Sequence, residues 1–526
     1  MNTVNIPEIN TEKDLVSYST GLSNLFRQFY EYDYRKIHGQ FFTPGEVACY
    51  MSSLMNLDRN EIRILDPGSG TGILIAAICK RILTECEKPI TLTVDCYEND
   101  PSLLPLLKRM LQSCNMLLNE KSHTFKYNIY EQDFILHNVK YLDKSLMAPW
   151  ERNELIYYDI IVSNPPYYKL NKNSPQSIAM KCQDYEQTNI YASFMALSVK
   201  MLQKGGEMVF ITPRSFCSGF YYQKFRKWFT NTMSIKQLHL FESRKDVFVE
   251  DGILQENIIF KVIKTKQKKD DKIKITCSKG KSFNELTLIE TSQKSVLYSH
   301  KNDVIIRLPT SNMDIDILNE LDKWPFTLQD FGLSVSTGAV VPFRTKENLC
   351  DCSINPEVAP LLWMHNLQGF EVRWPIDNKK KERCIKVNAD TKKILLPVQN
   401  YVLLKRFSSK EQKRRIYASV LNKSDFDNHK HIGIENHLNC IYRVNSELTD
   451  EESYGFAALL NSSLVDQYFR SLNGHTQVNA ADIKNLRLPD INTIESIGKR
   501  VKDNMPQTDS ELDILVANVL QIEIFP

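Results

Sequence analysis

A chain of 526 residues is too long for one ordinary core and predicts two domains or more, each with apolar surface of its own to bury. Hydrophobic residues at 42% and charged residues at 25% are ordinary for a globular protein, and no segment approaches the roughly 20 apolar residues that span a bilayer, so no membrane span is expected. A net charge of +3 does not by itself point to a nucleic-acid partner, although 66 basic residues leave room for a basic face.

The chain opens on MNTVNIPEINTEKDLVSYST, which is polar and acidic and lacks the basic-then-apolar order of a secretory signal; a cytoplasmic location is expected. Over residues 39–260, short β-rich apolar runs alternate with helical stretches. Strands are predicted at 62–65, 91–97, 125–131, 160–163, 207–212, 235–240 and 257–263, with helices at 74–83, 103–118, 191–202 and 222–230. That alternation is the pattern of a doubly wound, Rossmann-like α/β domain whose parallel sheet is joined by crossover helices, and it is assigned to residues 1–265. The run KTKQKKDDKIK at 264–274 has no apolar period and suits a solvated linker or an exposed turn, with the domain boundary there or somewhat later. Beyond it, residues 266–526 mix strand-like runs such as KILLPVQNYVLLKRF with one clear helix at 454–472, so the second domain is expected to be α+β without a repeat.

Twelve cysteines in such a chain predict reduced thiols, mostly core residues, rather than a disulfide framework. Cys350 and Cys352 form an isolated C-x-C, and His429, His431 and His437 lie near one another, but neither group has the paired spacing of a structural zinc site; no metal is expected.

In ILDPGSGTGILIAA, a strand ends in Asp66, runs through Gly68, Gly70 and Gly72, and opens a helix. Glycines let backbone approach a ligand, and the acid accepts hydrogen bonds from its polar groups. Such turns serve dehydrogenases as well, so a dinucleotide remains the rival ligand at this point. The next strand ends in CYEND, placing Glu98 to take both hydroxyls of a ribose. Asp133 in EQDFI falls at a third strand end, where it either accepts from an adenine amino group or is a plain surface turn acid.

Asn164-Pro165-Pro166-Tyr167 directly follows the apolar strand DIIVS. Two prolines fix the backbone and remove two amide donors, so the loop presents acceptors. An exocyclic amino group is a poor nucleophile because its lone pair is delocalised into the ring. The Asn164 side-chain oxygen and the Pro165 carbonyl are two acceptors able to hold its hydrogens while the nitrogen pyramidalises, and Tyr167 is expected to offer a face for a stacked base. Alone, N-P-P also suits a merely rigid strand end.

Taken in order, GQFFTPGEVACYM, DPGSGTG, YEND, QDF and NPPY, followed by a long C-terminal region, resemble the gamma class of N6-adenine DNA methyltransferases of restriction-modification systems, of the TaqI kind. The resemblance implies S-adenosylmethionine as cofactor and double-stranded DNA as partner, with an adenine flipped out of the helix. It also implies that Thr43 and Pro44 contact the methionine end of the cofactor, and that Phe248 packs on the flipped adenine. ALLNSSLVDQYFRSLNGHTQVNAADIKNLRLP is similar to the target-recognition domains of the PstI and BsuBI systems, and the basic stretches around Arg414, Arg415 and His475 are expected to contact phosphates and bases. A stand-alone enzyme, monomeric on DNA, with its restriction nuclease on a separate protein, is the expected organisation. N-P-P-Y also serves enzymes that methylate cytosine N4, RNA bases or protein glutamine. A non-catalytic specificity protein is a further class, against which Asp66, Glu98 and Asn164 all stand intact.

Overall fold

The computed structural model describes residues 14–143, 152–182, 185–242, 256–268, 270–300, 303–351, 357–376, 381–408, 412–472 and 477–523. The chain forms two compact units, Met1–Thr310 and Ser311–Pro526.

The first unit is built on a nine-stranded sheet of β1 (Glu61–Asp66), β2 (Thr91–Tyr97), β3 (Thr124–Tyr130), β4 (Tyr158–Ser163), β5 (Leu202–Pro213), β6 (Ser234–Phe241), β7 (Asn257–Ile263), β8 (Lys272–Ser278) and β9 (Thr287–Ser292), in the order β3-β2-β1-β4-β5-β7-β6-β8-β9. β3, β2, β1, β4 and β5 run parallel. In the central strand β4, residues alternate between two apolar clusters, Ile160 and Val162 in one and Ile161 in the other, so both sheet faces are covered there and IIV reads as an unbroken apolar run. Strand order reverses between β1 and β4, which opens a crevice at the carboxyl ends of the strands.

Several expectations need correction. The sheet is not wholly parallel: β7 inserts between β5 and β6 and is antiparallel to both, a direction that needs no crossover helix. Of the two readings of 264–274, the structure shows the turn and not the linker between domains. The last residues of the run begin β8, which pairs in parallel with β6 and antiparallel with β9, so the first unit ends at Thr310 rather than at 265. Asp271 takes the positive charge of Lys236 at 3.0 Å and pins the turn before β8. Another concerns the thiols. Cys79, Cys96 and Cys114 are free and buried as expected, whereas Cys384 is disulfide-bonded.

α1 (Leu15–Phe29), α3 (Gly45–Ser53) and α4 (Ile73–Glu85) pack in the apolar cluster that holds Ile64 and Val94, and α2 (Tyr32–His38) brings Tyr34 to the crevice. Asp14 caps α1 by accepting from the Val16 and Ser17 amides, and the buried Ser23 hydroxyl of α1 lies 2.7 Å from that of Thr71 in the glycine-rich turn. The second unit holds a six-stranded and a five-stranded sheet with helices at Asn312–Leu321, Asp450–Asn461, Ser463–Leu472, Ala480–Lys484, Ile491–Asp503 and Asp509–Leu520, an α+β unit as expected. The single helix read at 454–472 is two, broken at Ser462, whose extended backbone (ψ 147°) ends the first. Among the described residues no helix is long and apolar enough to cross a membrane.

Candidate functional site

Asp66, Glu98, Asp133 and Asn164 all stand at or just beyond the carboxyl ends of β1 to β4, where the crevice lies. Between them is a cavity of about 330 Å³ lined by Gly68 and Gly70, Glu98 and Asn99, Asp133 and Phe134, Asn164 and Pro166, with Gly39 to Phe42 on a further side.

Gly70 and Gly72 have φ of +53° and +82°, conformations in which a side chain is strained. They serve different ends. Gly70 faces the cavity, whereas a Cβ on Gly72 would meet Leu107 and Met110 at 3.1 and 3.3 Å, so this glycine lets α4 pack on the helix Leu104–Glu120. Glu98 Oε2 accepts from the Gly70 amide at 2.9 Å and Oε1 from the Asp100 amide at 2.9 Å, locking the turn to the end of β2. Asp66 is wholly buried; Oδ1 accepts a long 3.4 Å bond from the Gly68 amide, and Oδ2 meets no protein donor. Burial, reinforced by the negative charge of Glu98, pushes the Asp66 carboxyl up to about 7. Burial likewise raises Glu98 to about 7, against the lowering effect of its two amide donors. Asp133 is the N-cap of the helix Phe134–Asn138, accepting from the Leu136 amide at 2.9 Å, and its other oxygen accepts from Gln176 Nε2 at 2.8 Å.

The Asn164-Pro165-Pro166-Tyr167 loop is held from the opposite side. Asn164 Nδ2 donates to the Phe41 carbonyl at 2.9 Å and to Thr43 Oγ1 at 3.1 Å, which fixes the amide so that Oδ1 is the acceptor. Tyr167 does not present its ring to the cavity as expected. It is only 8% exposed, packs edge-on to Tyr191, and its hydroxyl bonds the Ile211 carbonyl at 2.9 Å and Asn164 Oδ1. A buried phenol must satisfy its hydroxyl, and these acceptors draw it inward. The half-buried Tyr168 lines the cavity instead. Thr43 and Pro44 are set behind the cavity wall: Thr43 holds Asn164, and Pro44 begins α3. Pro165 is buried and Pro166 faces the cavity. Phe248 lies outside the described residues.

Sequence reasoning missed the wall formed by Gln40, Phe41 and Asp100. Asp100 Oδ2 accepts from Gln40 and, at 3.2 Å, from the Tyr34 hydroxyl, tying the segment before α3 to the end of β2. The signal was present in GQFF and YEND, whose polar residues have no apolar period to serve. Phe134, next to Asp133 in QDF, is also a wall residue, with its ring centroid 4.9 Å from that of Phe194. Among the described residues no group of His, Cys, Asp and Glu has the arrangement of a metal site.

Residues 91–248 match the Eco57I restriction-modification methylase family. The type II methyltransferase M.PstI of Providencia stuartii is 34% identical over 486 residues, covering 92% of this chain and 93% of its own. M.BsuBI of Bacillus subtilis is 36% identical over 491 residues, covering 91% of this chain and 94% of its own. The chain belongs to the type II restriction-modification DNA methyltransferases.

A type II methyltransferase uses S-adenosylmethionine, and the residues present fit it. The cofactor carries ribose hydroxyls and a cationic methionine end, and the crevice offers buried carboxylates, an Asp66 oxygen without a protein donor and a turn kept open by Gly68 and Gly70. Glu98 still has acceptor capacity beside its two amide bonds, since a carboxylate offers about four lone-pair sites.

Glu98→Ala is therefore expected to weaken S-adenosylmethionine by roughly 1.5–3 kcal/mol, the range for hydrogen bonds to a charged group, with DNA affinity little changed. The affinity should also depend on pH. In the free protein both carboxyls hold their protons up to about 7, and the ionised form is the stronger acceptor for hydroxyl donors, so affinity is expected to rise as pH climbs through 7, with protons released on binding. The sign for stability is opposite. The unfolded chain loses these protons near pH 4 and the fold only near 7, so the cofactor-free protein loses stability across that window. Calorimetric titration from pH 6 to 8 in buffers of different ionisation heat measures both affinity and proton release. Unchanged cofactor affinity in Glu98→Ala would leave Glu98 a purely structural acid.

Proposed function

We propose that the chain transfers a methyl group from S-adenosylmethionine to the exocyclic N6 of an adenine extruded from duplex DNA at a specific sequence. The observation that supports it is Asn164: its amide is clamped by Phe41 and Thr43 at the rim of a cavity whose other walls are those of the cofactor site. An amide oxygen accepts two hydrogen bonds, so Oδ1, which takes one from Tyr167, keeps a second direction for an incoming N–H. The Pro165 carbonyl supplies the other acceptor. Held by both, the amino nitrogen gives up conjugation with its ring and gains a directed lone pair. The bound cofactor supplies the methyl on a sulfur that is already positive. Asn164 carries no charge and takes no proton; the proton leaves to water after transfer.

Thr43 and Tyr167 act through Asn164 in this reading, by orienting its amide. Asp66 and Glu98 hold the cofactor, Gly68 and Gly70 let it approach, and Asp133 borders its adenine end. Target reading falls to the unit Ser311–Pro526, and the nuclease of the system is a separate protein in the same cytoplasm. A flat amino group on cytosine would meet the same two acceptors. Incubating the protein and labelled cofactor with unmethylated DNA, then resolving the nucleosides by mass spectrometry, tests the reading. N6-methyladenine is expected; N4-methylcytosine would replace adenine as the substrate, and no labelled nucleoside would sink DNA methylation altogether.

A further inference from the structure

Beyond the carboxyl end of β5 the chain makes two short 3-10 turns, Arg214–Cys217 and Phe220–Tyr222, before the helix Gln223–Thr232. At the second turn, adjacent Phe220 and Tyr221 are 71% and 79% exposed, with ring centroids 6.0 Å apart. Single exposed apolar residues are common and need no explanation. This pair differs because the backbone that presents it is rigidly built.

Arg226 is fully buried and donates from Nη1 to the Phe216 and Gly219 carbonyls at 2.9 Å each, while its Nη2 meets Asp303 at 2.6 Å. A buried charge is ordinarily retained only when its partners are complete, and here they fix the ends of the turn. Gly219 leaves no alternative path, since a Cβ there would lie 2.6 Å from the Ser215 carbonyl. The turn also abuts the Asn164 loop: Ser215 Oγ is 2.7 Å from the Tyr191 hydroxyl, Tyr222 packs on Tyr191, and Tyr191 packs on Tyr167. Lys224 and Lys227, one helical turn apart on the following helix, are exposed.

We propose that Phe220 and Tyr221 are an aromatic contact to the DNA substrate, stacking on bases beside the extruded one, with Lys224 and Lys227 against the adjoining phosphates. The inference rests on the reading of the substrate as DNA with one base swung out. A flat ring stacks on any base, lysines supply the sequence-independent attraction to phosphate, and an apolar wedge stabilises a duplex opened at one step. The occupant is DNA because exposed rings, flanking cations and the Asn164 loop converge at the carboxyl ends of the neighbouring strands β4 and β5 in a DNA methyltransferase.

The test is equilibrium binding of the full chain to a duplex carrying one mapped methylation site, by fluorescence anisotropy across a salt series. Phe220→Ala with Tyr221→Ala is expected to lower DNA affinity by roughly tenfold or more, the loss associated with one or more stacked rings. Cofactor affinity and melting temperature should stay at wild-type values, because both side chains are exposed and outside the cofactor cavity. The exchange Phe220→Tyr with Tyr221→Phe should restore binding. Lys224→Gln and Lys227→Gln should each flatten the slope of log affinity against log salt by about 0.9. Wild-type DNA affinity in the alanine pair overturns the contact. A wild-type enzyme that methylates cytosine sinks the adenine reading alone and leaves this contact standing.

Discussion

Asn164→Ala is expected to lower turnover by roughly 10²–10³-fold, about 2.7–4 kcal/mol, while S-adenosylmethionine binds nearly as before. The division follows from the bonds. Asn164 leans on Phe41 and Thr43, and the residues proposed to hold the cofactor, Asp66 and Glu98, bond to the glycine-rich turn and the end of β2. Asn164→Asp keeps the acceptor but sets a carboxylate against the Phe41 carbonyl, so its loss should be smaller than that of alanine without vanishing. Thr43→Val removes one of the two acceptors that fix the amide and should cost about 0.5–1.5 kcal/mol in the same step. Single-turnover methyl transfer at saturating cofactor separates chemistry from binding. An alanine variant with wild-type turnover and melting temperature would remove Asn164 from the reaction.

What could be read from the sequence was what is encoded locally. β1, β2 and β4 each carry apolar residues up to a polar one at or next to the strand end, so Asp66, Glu98 and Asn164 could be placed at strand ends from the sequence. Direction and pairing were not local. β7 has the composition of any buried strand, and only its neighbours β5 and β6 make it antiparallel. β8 was hidden because the period-two pattern of KIKIT is masked by the lysines before it, although Ile273 and Ile275 are buried. Tyr167 shows the limit at the site itself: the motif places an aromatic there, but whether its ring faces a ligand or the core depends on the Ile211 carbonyl of a different strand. His475, read as a base contact, lies outside the described residues.

Arg414 and Arg415 carry the largest reversal, and with it the second large effect. A basic run reads as a phosphate-binding face, yet the two side chains are buried, with 8% and 1% of their surface exposed. Arg414 pairs with Asp509 at 2.8 Å and donates to the Asn461 carbonyl. Arg415 lies 5.9 Å from the centre of the Phe469 ring and donates from Nε to Ser408 Oγ at 3.2 Å, while its backbone amide donates to Asp466. These partners come from helices far along the chain, which is why burial was not legible in KEQKRR. Reversing a charge here leaves one carboxylate facing another, or facing an aromatic core. Arg415→Glu, which puts an uncompensated carboxylate where the side chain is 1% exposed, should therefore destabilise the unit by about 3–5 kcal/mol, and Arg414→Glu, whose partner Asp509 is 38% exposed, by less. Lys413→Gln, at a side chain 79% exposed that pairs with the same Asp509 at 2.5 Å, should cost no more than about 1 kcal/mol, the range for an exposed ion pair. Denaturant unfolding of the full chain reads the first effect, and DNA binding across a salt series distinguishes it from loss of a phosphate contact. A buried arginine lost by mutation weakens binding through the unfolded fraction, with the midpoint of unfolding displaced. A phosphate contact would instead leave the midpoint in place and take about 0.9 from the salt slope, and that outcome would return both arginines to the DNA-binding face.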